Sequence, residues 1–203
     1  MLENGKVQQI LDGARAAFFE LGYEGASVGE IARRAGVSKG TLYNHFPDKA
    51  QLFEAIVRRE MQNFSDQVLS AWEPSQDVES SVRGIARRLT GVMCSPAAVS
   101  LYRLCAAESL RFPNLGRAFI ERGVDVCRRR LGELFAVARS RGELVTEDVD
   151  MATLQLAALC RAVVFDRLLM GLQDTPSQED IDRSADAAAA TFLKAYLPPA
   201  PRG

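Results

Sequence analysis

The sequence predicts an all-α protein with about nine helices, and three observations carry that expectation. Apolar residues recur every three or four positions along nearly the whole chain. The breaks between these runs carry Pro or Gly, which helix interiors avoid. No stretch alternates convincingly between apolar and polar residues, as a half-buried strand would.

Taken in order, Ile10, Ala14, Phe18 and Leu21 place one apolar stripe on a first helix, which Gly22 ends. Ser27-Val-Gly-Glu30 has capping-box spacing, in which the hydroxyl accepts the third helical N–H and the carboxylate reaches back. That opens a short second helix through Ile31 and Ala32, and Gly36 supplies the turn after it. Ser38 caps a short third helix and Pro47 closes it. Asp48 caps a longer fourth helix carrying Leu52, Phe53, Ile56, Val57, Met61 and Phe64. Longer helices are expected at about 77–93, 97–110, 114–140, 149–172 and 178–196. The breaks fall at Glu73-Pro-Ser-Gln76, Ser95-Pro96, Phe112-Pro113, Arg141-Gly142 and Asp174-Thr-Pro-Ser177. The tail, 198–203, is expected to be disordered.

Composition narrows the function classes. Of 203 residues, 25 are Lys or Arg and 26 Asp or Glu, so the net charge is −1 and binding of nucleic acid by bulk charge is excluded. A single His rules out paired-His metal motifs, and no metal site or cofactor is expected. Cys94, Cys105, Cys127 and Cys160 contain no C-x-x-C pair, so they read as buried free thiols or, alternatively, as a redox sensor. The start shows no secretory h-region, and Arg161, Asp166 and Arg167 interrupt the apolar stretch 151–172, so a cytoplasmic chain with no membrane partner is expected.

Residues 27–46 have the layout of a helix-turn-helix. At about 100° per residue, Leu42 and Phe46 project together from the third helix as its buried side. Gly40, Thr41 and Asn44 project from the opposite side, with Tyr43 and His45 on the flanks. That outward face is small and polar enough to enter a major groove. Gly40 costs about 1 kcal/mol of helix propensity, and close approach of backbone and phosphate is a reason to tolerate it. Residues 27–49 hold Arg33, Arg34, Lys39 and Lys49 against Glu30 and Asp48, a local balance of +2. A handful of phosphate contacts per subunit, doubled by dimerisation, would have to suffice.

The run from Tyr23 through Ala-Ser-Val-Gly-Glu-Ile-Ala, then Val37-Ser-Lys-Gly-Thr-Leu-Tyr-Asn-His-Phe-Pro-Asp-Lys49, resembles the DNA-binding domain of TetR/AcrR-type transcriptional regulators. Leu101-Tyr-Arg-Leu104, Glu108, Arg111-Phe-Pro113 and Arg141-Gly-Glu-Leu144 are similar to the AefR-like regulatory domain of that family. The resemblance implies a helix-turn-helix domain over 1–50 and a regulatory and dimerisation domain over 51–197. It places Lys39, Gly40, Thr41 and Asn44 in or over the major groove, and Tyr43 and His45 on phosphates. Ser27 and Lys49 would clamp the backbone from the starts of the second and fourth helices. The family often has an aromatic residue where this chain has Asn44, a side chain suited to adenine. His45 is otherwise an ordinary surface histidine.

One short reading helix recognises only a few base pairs, so a homodimer on a palindromic operator in double-stranded DNA is expected. Met151, Leu154, Leu156, Ala158, Leu159, Val163 and Val164 make one late helix apolar on most sides, and Ile181, Ala185, Ala188, Phe192 and Tyr196 stripe the last. Leu154, Ala158, Ile181, Ala185, Ala188 and Phe192 are the candidate dimer interface, unless both helices bury within their own subunit. A small hydrophobic effector is implied by the resemblance. Its candidate walls are Phe64, Trp72, Met93, Tyr102, Phe119 and Phe165, with Arg103, Glu108 and Arg161 to orient a polar group. Each of these also fits plain core or, for Arg161, a buried ion pair. An all-helical enzyme is the remaining class, but no nucleophile–base pair, phosphate loop or catalytic residue stands out. The expectation is a repressor released from its operator by a ligand.

Overall fold

The computed structural model describes residues 2–73, 76–162 and 164–199, and every element among them is helical. Val163, Pro74, Ser75 and tail residues 200–203 lie outside the described residues. In chain order the helices are α1 (Leu2–Gly25), α2 (Val28–Arg34), α3 (Lys39–His45), α4 (Lys49–Leu69), α5 (Val78–Met93) and α6 (Pro96–Glu108). Then come α7 (Pro113–Phe119), α8 (Asp125–Ser140), α9 (Val149–Arg161), α10 (Phe165–Leu169) and α11 (Gln178–Tyr196). No single helix among the described residues is long and apolar enough to cross a membrane.

The additional helices come from two expected long helices that divide. The segment expected at 114–140 contains a π-helical turn, Ile120–Val124, between α7 and α8. Gly123 is buried there, and a Cβ on it would lie 2.7 Å from Met61 Cγ. The widened turn thus closes on α4 through a residue without a side chain. The segment expected at 149–172 breaks between Arg161 and Phe165. No Pro or Gly marks that break, so apolar periodicity runs straight through it. Within α1, Gly22 adopts φ 73°, a left-handed conformation that ends the regular helix where the sequence places its end.

The chain packs as two compact units, Met1–Gln62 with Ser100–Val124, and Asn63–Val99 with Asp125–Gly203. In the first, Ile10, Ala14 and Phe18 of α1 are buried with Ile31, Leu42, Leu52, Phe53 and Ile56. Phe18, Tyr23 and Phe53 meet at centroid distances of 5.5 to 5.6 Å. Each such buried aromatic contributes about 1.5–3 kcal/mol through removal from water. Gly13 lets α1 and α2 approach closely, since a Cβ there would lie 2.6 Å from the Ala35 nitrogen.

The core of the second unit joins α5, α8, α9 and α11 through Val82, Ile85, Phe135, Leu156, Ala185, Ala188 and Phe192, all buried. Phe192 sits 5.3 Å from Phe135 and 4.7 Å from Tyr196. Ala185, Ala188 and Ala189 keep the α11 surface low, so that side lies close against its own subunit. Ala185, Ala188 and Phe192, expected at a dimer interface, are thus buried within their own subunit.

Candidate nucleic-acid interface

The third helix is short and is held at its start by its cap. Ser38 Oγ accepts the Thr41 N–H at 3.0 Å, satisfying one of the free first-turn donors. Leu42 is fully buried and anchors the helix, while Phe46 is only half-buried. Gly40 and Asn44 are exposed on the far side, Thr41 and His45 are half-buried, and Tyr43 is 49% exposed. Among the described residues, none hydrogen-bonds the side chains of Tyr43, Asn44 or His45, so these polar groups are available to a ligand. The Thr41 hydroxyl is already partnered, at 2.8 Å from Ser38 Oγ.

The second helix begins at Ser27, whose Oγ accepts the Glu30 N–H at 3.2 Å. The reciprocal half of the expected capping box does not form. The Ser27 N–H donates instead to the Gly25 carbonyl, and the Glu30 carboxylate takes Arg33 and Arg34 at 2.7 Å each. Two guanidiniums are stronger partners for a carboxylate than one backbone amide. Their hydrogen bonds hold the Glu30 carboxyl down to about 2. Arg34 also pairs with Glu20 of α1 at 2.7 Å, so the cluster ties α2 to α1. Two of the basic residues counted toward DNA are thus neutralised locally.

The remaining two lysines behave differently. Lys39 lies back over α2, where a Cβ on Gly29 would be 3.0 Å from its Cε and 3.3 Å from its Nζ. Lys49, expected to clamp phosphate, donates to the carbonyls of Tyr23 at 2.8 Å and Glu24 at 3.4 Å. Its ammonium also stands 4.5 Å from the Tyr23 ring centroid. Burial lowers its pKa, as expected for a cation moved out of water, and the negative charge of Glu108 opposes that shift. Lys49 thus ties the start of α4 to the end of α1. Tyr23 continues the cluster by packing on Phe112 at 4.9 Å, and Arg111 pairs with Glu24. Sequence reading missed these contacts because Arg111 and Glu24 are 87 positions apart, and no local spacing signals the pair.

The candidate effector residues are distributed between the units. Tyr102, Arg103, Glu108 and Phe119 belong to the first, and Phe64, Trp72, Met93, Arg161 and Phe165 to the second. The structure pairs Tyr102 with Phe119 at 5.7 Å and places the Arg161 guanidinium 4.4 Å from the Phe165 centroid. Trp72 and Met93 pack against the second core, and Phe64 is half-buried. Arg103 is exposed, and Glu108 faces the Gly22–Lys49 cluster. On α9, Leu154 is 44% and Met151 47% exposed, and Ala158 is exposed beside them; Ile181 is half-buried. These three α9 residues leave an apolar stripe unpacked within the subunit.

Residues 10–56 match the family model described as bacterial regulatory proteins of the tetR family. Residues 80–198 match the AefR-like transcriptional repressor C-terminal domain. The chain belongs to the TetR family of transcriptional regulators. A crystal structure of a TetR-family regulator from Mesorhizobium loti superposes on this TetR chain with TM-score 0.89, at 30% identity, covering 98% of this chain and all of that one. The flavonoid-responsive regulator FrrA gives 0.79 at 32% identity, covering 97% of this chain and 100% of its own. The regulator BetI of Klebsiella pneumoniae is 29% identical over 195 residues, 94% of this chain and 93% of BetI. The repressor AcnR of Corynebacterium efficiens is 43% identical over 61 residues, which are 30% of this chain and only 32% of AcnR. DNA-binding transcriptional regulation is the activity that the TetR assignment supports, and these relatives are regulators rather than enzymes.

Proposed function

We propose that this TetR-family chain is a repressor that binds a palindromic operator as a homodimer and is released by a small apolar effector. The outward polar face of α3, with Tyr43 and Asn44 exposed opposite a fully buried Leu42, carries the DNA part of the reading. The apolar α9 stripe of Met151, Leu154 and Ala158 supports dimerisation, since a second copy would bury what the subunit leaves exposed. The match to an AefR-like regulatory domain supports an effector, and FrrA is described as flavonoid-responsive.

Anisotropy titration on duplexes from the gene's own upstream region tests the reading. Affinity should fall steeply with salt, and a panel of small apolar molecules that includes a flavonoid should contain one that releases the DNA. Thr41→Ala and Tyr43→Ala should weaken binding with the helical CD signal unchanged, and unaltered affinity in both would defeat the proposal. A thiol switch on the same scaffold is less well supported. Burial pushes the thiols of Cys94 and Cys160 up to about 11 and that of Cys105 up to about 12, and it raises Cys127 as well. Oxidation proceeds through the thiolate, which burial disfavours at all four.

A further inference from the structure

We infer that α3 reads A·T pairs, with Asn44 taking an adenine and Thr41 a thymine in each half-site, and that it carries no guanine reader. This rests on the DNA-binding reading above and adds the class of base. The Thr41 hydroxyl is turned back to Ser38 Oγ at 2.8 Å, and Ser38 Oγ also holds the Thr41 N–H at 3.0 Å. Thr41 is part-exposed and its hydroxyl is already partnered, which leaves its methyl group for an apolar contact of the kind that suits the C5-methyl of thymine. The Asn44 carboxamide is exposed and has no hydrogen-bond partner among the described residues, so it has an acceptor oxygen and a donor NH2 to offer together. That pair matches the N6 donor and N7 acceptor of adenine.

Gly40 lies one turn before Asn44, and a Cβ there would meet only Ser38 Oγ, at 3.7 Å. The space beside Asn44 is therefore open to a base edge. Guanine is usually read by Arg or Lys through O6 and N7. The one such residue on α3 is Lys39, and its stem and ammonium lie over Gly29 at the start of α2.

The test uses the full chain and a randomised duplex pool. Selection should enrich A·T pairs at the positions α3 touches. Asn44→Ala should lose preference at one base pair per half-site, and Thr41→Ser, which keeps the Ser38 contact but lacks the methyl, at a neighbouring one. On the selected duplex, 7-deazaadenine at the Asn44-dependent position should weaken the wild type about tenfold and Asn44→Ala not at all. Uracil in place of the thymine should weaken the wild type and leave Thr41→Ser unaffected. Guanine selected at the Asn44-dependent position, or equal wild-type binding to the 7-deazaadenine duplex, would overturn the inference. Enrichment of no sequence at all is a distinct result, which would remove the DNA-binding reading beneath it.

Discussion

Lys39 and Lys49 are both basic, close to the recognition helix and indistinguishable by charge counting, yet their environments assign them opposite work. Lys49 holds two backbone carbonyls and a tyrosine face inside the first unit, whereas Lys39 has no hydrogen-bond partner among the described residues and lies along Gly29. A cation that contacts phosphate releases a counterion, and a cation tied up internally does not. Lys39→Met should therefore reduce the slope of log affinity against log salt by about one per subunit. Lys49→Met should leave that slope intact and lower the melting temperature instead, since the Tyr23 and Glu24 carbonyls lose a charged donor worth about 1.5–3 kcal/mol. Salt titrations and thermal melts of the two variants check this directly.

At the scale of elements, α2 is fastened to α1 by charge and by close packing, and each makes its own prediction. Glu30 and Glu20 are both depressed below the ordinary 4.5 by hydrogen bonds to arginines, Glu30 to about 2. A carboxyl whose folded pKa lies below its unfolded one stabilises the fold above the unfolded value and loses that contribution as pH falls. The first unit should thus hold its stability down to about pH 4.5 and lose it progressively toward about pH 2. Acid titration followed by CD should show this, with a shallower loss in Glu30→Gln. Close packing is sampled by Gly13→Ala, which places a methyl 2.6 Å from the Ala35 nitrogen. That clash should cost about 1–3 kcal/mol in urea melts. DNA affinity should fall with it, because α2 seats α3.

At the scale of the molecule, the late helices carry a buried face and an exposed apolar stripe, and each makes its own prediction. Phe192 is buried against Phe135 and Tyr196, so Phe192→Ala should cost about 3–5 kcal/mol of stability in the second unit. Leu154 projects from α9 with nearly half its surface exposed, so Leu154→Glu should leave helical CD and melting unchanged. Sedimentation should then show the charged variant as a monomer and the wild type as a dimer. A dimer that survives Leu154→Glu would place the interface elsewhere.

The helical class, the caps at Ser27 and Ser38, the stop at Gly22 and the outward face of α3 were all legible in the sequence. Each depends on residues within a turn or two of one another, where fixed helical geometry converts spacing into position. The partner of the Glu30 carboxylate is local too, since Arg33 and Arg34 lie three and four positions along the same helix, but spacing does not rank these guanidiniums against the Ser27 amide. The tertiary structure alone decided that Lys49 is an internal tie and that Lys39 leans on Gly29. It also decided that the alanines of α11 belong to the subunit's own core and that Arg111 meets Glu24 across 87 positions. Helical periodicity says that a face is apolar but not what covers it, and composition counts a charge without saying what neutralises it. Those answers depend on long-range packing, for which local spacing carries no signal.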